Sequence, residues 1–179
     1  MEQPADLDTL RKGFGKNKIE YKYQEFGYAN ILSFPENDPM HPFFFIHYSS
    51  PAKDHVIHLN HPNTAQKLYA VWIPEHIYRE NLEKFQSFAA GNPSHVELSY
   101  TNTPVKVIEL DSGKIYLVSD NYSGRIVGAT VLVKKISQTK LLLENSFKQK
   151  FDFYSTPRGR SILIPPQFTF GIWLEFLEQ

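Results

Sequence analysis

The chain has 179 residues, enough for one full hydrophobic core or for small modules that share one. Its 19 basic and 19 acidic side chains cancel, so charge gives no reason to expect nucleic acid or an acidic membrane surface as partner. The absence of cysteine excludes disulfides, thiolate metal sites and a cysteine nucleophile, and makes a reducing, cytoplasmic setting the simplest expectation.

The opening MEQPADLDTL is acidic and lacks an apolar run, so it does not read as a signal peptide. No stretch of about 18 consecutive apolar residues occurs, so no membrane span is expected. Residues 5–12 suit a short helix that Gly13 or Gly15 would end. Three strand-like runs follow, KIEYKYQEF (18–26), YANILSF (28–34) and PFFFIHY (42–48), separated by turn residues. These make a partial front module, 1–50, of one helix and three strands. A polar connector, 51–64, comes next.

QKLYAVWI (66–73) has a strand pattern and runs into PEHIYRENLEKFQSFAAG (74–91), the clearest helix in the chain. There Pro74 suits the first helical position, and Gly91 suits the C-terminal cap. HVELSY, PVKVIEL and KIYLVSD then complete a βαβββ module over 65–121. The pattern recurs over 122–179. A strand at 125–136 leads to a helix over 139–147 that Ser137 can cap, and strands start at Phe151, Arg160 and Gly171. The stretch from Val105 to Gly113 aligns with Leu163 to Gly171 without a gap. A lone βαβββ unit leaves one sheet face bare, so two units should pair into a curved, cupped sheet. The expected class is α+β, with repeated βαβββ modules in a cupped mixed sheet. The front module lacks an opening strand, which leaves a gap or a place for a strand from another chain.

Within GIWLEF, Trp173 and Glu175 share one face of the last strand. A carboxylate there is a solvated outward residue, a paired inward one, or a ligand at the floor of the cup. His41, His47, His55, His58 and His61 crowd the 41–61 stretch, where the simplest reading is a solvated polar connector. His47 sits in an apolar strand, as a core or a pocket residue. Asn63 and Thr64 suit a turn that also lies beside the cup. GFGKNK (13–18) lacks the spacing of a phosphate loop. In PRGR (157–160) a carboxylate or phosphate clamp is conceivable, but solvated turn residues are favoured.

PPQFTFGIWLEF (165–176) is similar to the closing turn and strand of the vicinal oxygen chelate superfamily, which includes glyoxalases, bleomycin-resistance proteins and extradiol dioxygenases. HPFFFIHY followed by HPNTAQKLYAVWI resembles its glyoxalase-like branch. The resemblance implies a metal site built from a first-strand His and a last-strand Glu of each module. Glu175 falls on the last-strand Glu, and His47 on an equivalent place in the front module. The central module's counterpart falls on Leu117, and the first-strand positions fall near Leu68 and Gly128, none of them ligands. The cofactor expectation is therefore none or a single divalent metal held by His47, His61 and Glu175. Glu175 and His47 are the catalytic candidates; His61, Asn63, Trp173 and Tyr116 are the ligand-binding ones. The function expected first is metal-free small-molecule binding in an aromatic-lined cup. A metal-dependent lyase, isomerase or dioxygenase is the alternative, and a structural subunit or remnant half of a longer protein is a third. A small molecule and a second copy of the chain are the expected partners.

Overall fold

A computed structural model describes residues 7–27, 29–41, 43–48, 61–88, 93–96, 98, 104–110, 113–119, 121–122 and 124–179. His55, His58, Gly91 and most of the 51–64 connector lie outside the described residues.

The chain begins with α1 (Leu7–Lys16), then β1 (Lys22–Phe26), β2 (Ala29–Ser33) and β3 (Phe44–Tyr48). These strands form an antiparallel three-stranded sheet in the order β1-β2-β3. The helix runs through Gly13 and Gly15 instead of ending at them. Leu7, Leu10 and Phe14 bury one face of it. Tertiary packing outweighs the modest helix penalty of two glycines here.

Next come β4 (Ala65–Pro74), α2 (Glu75–Glu80), α3 (Leu82–Phe88), β5 (Ser94–Val96), β6 (Val105–Glu109) and β7 (Lys114–Val118). The single helix expected from 74 onward is broken at Asn81. That residue leaves helical geometry, is buried, and donates its side-chain amide to the Ile77 carbonyl at 2.9 Å. The last module is β8 (Gly128–Val133), α4 (Ile136–Phe147), β9 (Tyr154–Thr156), β10 (Gly159–Ile164) and β11 (Trp173–Glu178). Ser137 lies inside α4 and does not cap it. The Ile136 N–H is taken instead by the Glu178 carboxylate at 3.1 Å, so a neighbouring strand supplies the cap.

Strands β4 to β11 form one eight-stranded mixed sheet in the order β5-β6-β7-β4-β8-β11-β10-β9. The fold is α+β, with two βαβββ units joined through their opening strands. β4 and β8 pair antiparallel about the Val71–Ala129 pair, while β4–β7 and β8–β11 pair in parallel. Strand alternation sorts the side chains into three clusters. Ile73, Ile115 and Leu117 pack under α1, α2 and α3, joined by Leu32 of β2 and Phe34 just after it. Val133, Ile162, Ile164 and Phe176 pack under α4. The opposite, concave face carries Ala70, Trp72, Val107, Tyr116 and Leu163. No helix among the described residues is long and apolar enough to cross a membrane.

Candidate functional site

The strand registers define the centre of the cup. A two-fold axis through the Val71–Ala129 pair maps Trp72 onto Thr130, 58 residues later. Trp72 lies opposite Tyr116, and Thr130 lies opposite Glu175, so the same axis maps Tyr116 onto Glu175. The two modules thus contribute Trp72 and Tyr116 from one side, Thr130 and Glu175 from the other. These are the four positions beside the axis on the concave face. Register corrects the sequence alignment by one residue: the counterpart of Glu175 is Tyr116, not Leu117. On the opening strands the same axis relates Trp72 to Thr130.

All four side chains are fully buried. The Trp72 indole N–H donates to the Thr130 hydroxyl at 2.9 Å, and that hydroxyl donates to Glu175 Oε2 at 2.8 Å. Arg158 completes the centre. Its two terminal nitrogens reach Glu175 Oε1 at 2.6 Å and Oε2 at 3.0 Å, a bidentate pair. The tight turn between Thr156 and Gly159 delivers it. The Arg158 N–H donates to the Thr156 hydroxyl at 3.2 Å, and a Cβ on Gly159 would stand 2.1 Å from the Glu178 carbonyl oxygen. Of the three readings open for Glu175, the paired inward carboxylate is the one observed. The solvated reading of Arg158 is overturned, since only 8% of its side chain is exposed. Arg160, two residues on, does point outward and lies over the Phe153 ring at 4.3 Å.

Burial works against the Arg158 cation, yet its hydrogen bonds and charge pairing with Glu175 outweigh that and hold it above its ordinary value. Burial pushes the Tyr116 hydroxyl far above its ordinary value, against the opposing pull of the nearby Arg158 charge. That hydroxyl is sealed from solvent and makes no hydrogen bond of sound geometry among the described residues. The Arg158 guanidinium carbon lies 5.6 Å from the Tyr116 ring centre. Gly128 is the sixth part of the floor. A Cβ there would lie 2.6 Å from Cε3 of Trp72 and 2.8 Å from the Trp173 carbonyl oxygen, so only glycine lets the indole lie flat on β8. Above this floor Trp173, Tyr122 and Tyr69 are partly exposed and form part of the rim.

Trp173, Tyr116 and Glu175 thus share the cup. His47 does not join them: it sits on β3 in the other sheet, opposite Asn30, with its Nδ1 buried and without a hydrogen bond. His61 lies in the turn before β4, and there Asn63 accepts the Ala65 N–H at 3.1 Å through its side chain. His41 donates through Nδ1 to the Phe34 carbonyl, 3.1 Å away. Among the described residues no group of three or more His, Asp or Glu could hold a metal. A divalent metal needs several converging, unengaged donors. At the cup centre the one carboxylate is occupied by Arg158 and Thr130, and its neighbours are an indole, a phenol and a hydroxyl. This set does not fit a metal.

Solved structures with this architecture span the whole chain. 2,2',3-trihydroxybiphenyl 1,2-dioxygenase from Sphingomonas wittichii superposes with a TM-score of 0.63 at 12% identity, covering 99% of this chain and 68% of its own. Catechol 2,3-dioxygenase gives 0.59 at 13%, covering 100% and 70%. A variant of glyoxalase I from Zea mays gives 0.50 at 12%, covering 99% and 65%. The chain has the vicinal oxygen chelate fold. It spans about two thirds of the length of these three proteins. No protein-family model matches the sequence, and no curated protein matches it either.

Sequence reasoning missed Trp72, Thr130 and the destination of Arg158. A signal for the first two was present, because they stand 58 residues apart in the repeat.

Proposed function

We propose that the chain is a metal-free small-molecule binder of the vicinal oxygen chelate fold, whose ligand rests on the aromatic rim of the cup above a closed floor. One observation carries this reading. Both oxygens of Glu175 are held by Arg158 and Thr130, so a guanidinium stands where the resemblance implies a metal. Partly exposed Trp173 and Tyr122, packed on the buried floor, supply flat apolar surface of the kind that takes up planar ligands. A thermal-shift screen of uncharged aromatic compounds, followed by tryptophan fluorescence, tests the reading. A genuine ligand raises the midpoint saturably and quenches Trp173 rather than buried Trp72, and Trp173→Ala abolishes both effects. Hits that survive Trp173→Ala, or a screen that yields none, would count against a rim site.

The metal-dependent alternative draws its support from fold neighbours that include two dioxygenases and a glyoxalase I. It requires Arg158 to leave Glu175. The structural-subunit reading draws on β3, which ends its sheet with no further strand among the described residues. It predicts an oligomer by light scattering, and a monomer at micromolar concentration counts against it.

A further inference from the structure

A second cleft lies away from the cup, between the turn before β4 and the turn joining β8 to α4. Two segments far apart in sequence are stitched together there. Thr64 holds a φ of 58°, a conformation that a β-branched residue rarely adopts. Its carbonyl accepts the Lys134 N–H at 3.0 Å, and its hydroxyl accepts the Lys135 N–H at 3.1 Å. The Gln138 side-chain amide donates to the Pro62 carbonyl at 3.3 Å, and the buried Thr139 hydroxyl donates to the Asn63 carbonyl. The cleft between the two turns has a volume of about 550 Å³, and Lys134, Lys135, His61, Gln66, Gln138 and Thr64 are among its walls.

Among the described residues the cleft walls include no aspartate or glutamate. Lys134 and Lys135 form no ion pair among the described residues, whereas Lys84, Lys106, Lys114 and Lys140 each have a carboxylate partner within 2.8 Å. The carboxylate of Glu178 accepts the Ile136 N–H at the start of α4 and keeps its negative charge there. Two neighbouring lysines that form no ion pair among the described residues, an imidazole and two carboxamides therefore line one concavity, and the Glu178 carboxylate at the Ile136 N–H offsets part of their charge. Such a focus of positive potential favours a small anion with several acceptor oxygens.

We propose that this cleft binds the phosphate group of a small molecule, at a site independent of the cup. Lys134 and Lys135 supply the charge, while Gln66, Gln138 and His61 supply directional hydrogen bonds.

The test is a titration of the full chain with inorganic phosphate at low ionic strength, followed by amide chemical shifts. The proposal expects saturable shifts confined to Thr64, Lys134, Lys135 and Gln138. Lys134→Gln/Lys135→Gln should weaken binding at least about tenfold, the loss of one or two charged hydrogen bonds, with an unchanged melting midpoint. Removing the same charge at exposed Lys12 and Lys16 should leave affinity unchanged, as should Trp173→Ala in the cup. Shifts that rise linearly over all lysines, or equal losses in the two double variants, would overturn the site. So would co-sedimentation with phosphatidylglycerol vesicles in the absence of saturable binding of free phosphate, which would point to a lipid surface.

Discussion

Arg158 and Glu175 meet as a bidentate ion pair at 2.6 and 3.0 Å, one partner wholly buried and the other nearly so. Breaking such a pair from one side strands a charge in a dry interior, whereas replacing both partners with apolar groups removes the problem. Arg158→Met should therefore cost about 3–5 kcal/mol in urea denaturation. Arg158→Met/Glu175→Leu should recover most of that loss. Equal stability of parent and Arg158→Met would show that the pair does not hold the cup closed.

Gly128 and Trp72 make a second testable contact. A methyl group at 128 meets the indole at 2.6 Å and the Trp173 backbone at 2.8 Å, and the backbone cannot yield. Gly128→Ala should destabilise by roughly 1–3 kcal/mol, the usual range for overpacking, and should redshift the Trp72 emission as the indole is displaced. A variant with parental stability and emission would mean that the floor is looser than described.

The buried Tyr116 hydroxyl predicts an alkaline limit. Its folded-state value is raised well above the ordinary 10.0, chiefly by burial, so above about pH 10 the unfolded chain sheds a proton that the native state keeps. Stability is then complete below that pH and falls as pH rises. Tyr116→Phe should flatten this fall. Because the hydroxyl makes no hydrogen bond of sound geometry among the described residues, the same substitution should be close to neutral at pH 7. Denaturation midpoints between pH 7 and 11 decide both points.

Glu144 sets the opposite limit. Its carboxylate accepts hydrogen bonds from Lys140 at 2.7 Å and from the Phe151 N–H at 3.1 Å, and these hold it below its ordinary 4.5. Its contribution is present above pH 4.5 and is lost as pH falls through the depressed folded-state value. Glu144→Gln should lower the melting midpoint near neutrality and make it less sensitive to acid. An unaltered acid profile would show that the tie between α4 and Phe151 has no weight.

Much of the fold was legible because strand alternation and turn residues survive in the sequence, and because the module repeats with a nearly constant offset. The fine register was not. The closing strands differ in offset by one residue from the opening strands, and a one-residue slip exchanges the faces of a strand. That is why Leu117 stood in for Tyr116. α1 extended past Gly13 and Gly15 because Phe14 found a core, which local propensity does not record. Arg158 was hidden for a related reason. A Pro-Arg-Gly-Arg turn looks solvated, and only the hairpin's position over β11 turns one of its two arginines inward to a carboxylate 17 residues away. Glu175 itself stood out in the sequence as a carboxylate in an apolar strand, but its partner could not be read from any period.

The central claim is that Arg158 occupies the carboxylate that would otherwise serve a metal. Elemental analysis of the purified chain, after incubation with zinc, nickel, manganese or ferrous iron and removal of excess, tests it most directly. The account predicts metal far below one equivalent in the parent chain. One equivalent that disappears in Glu175→Gln would contradict it.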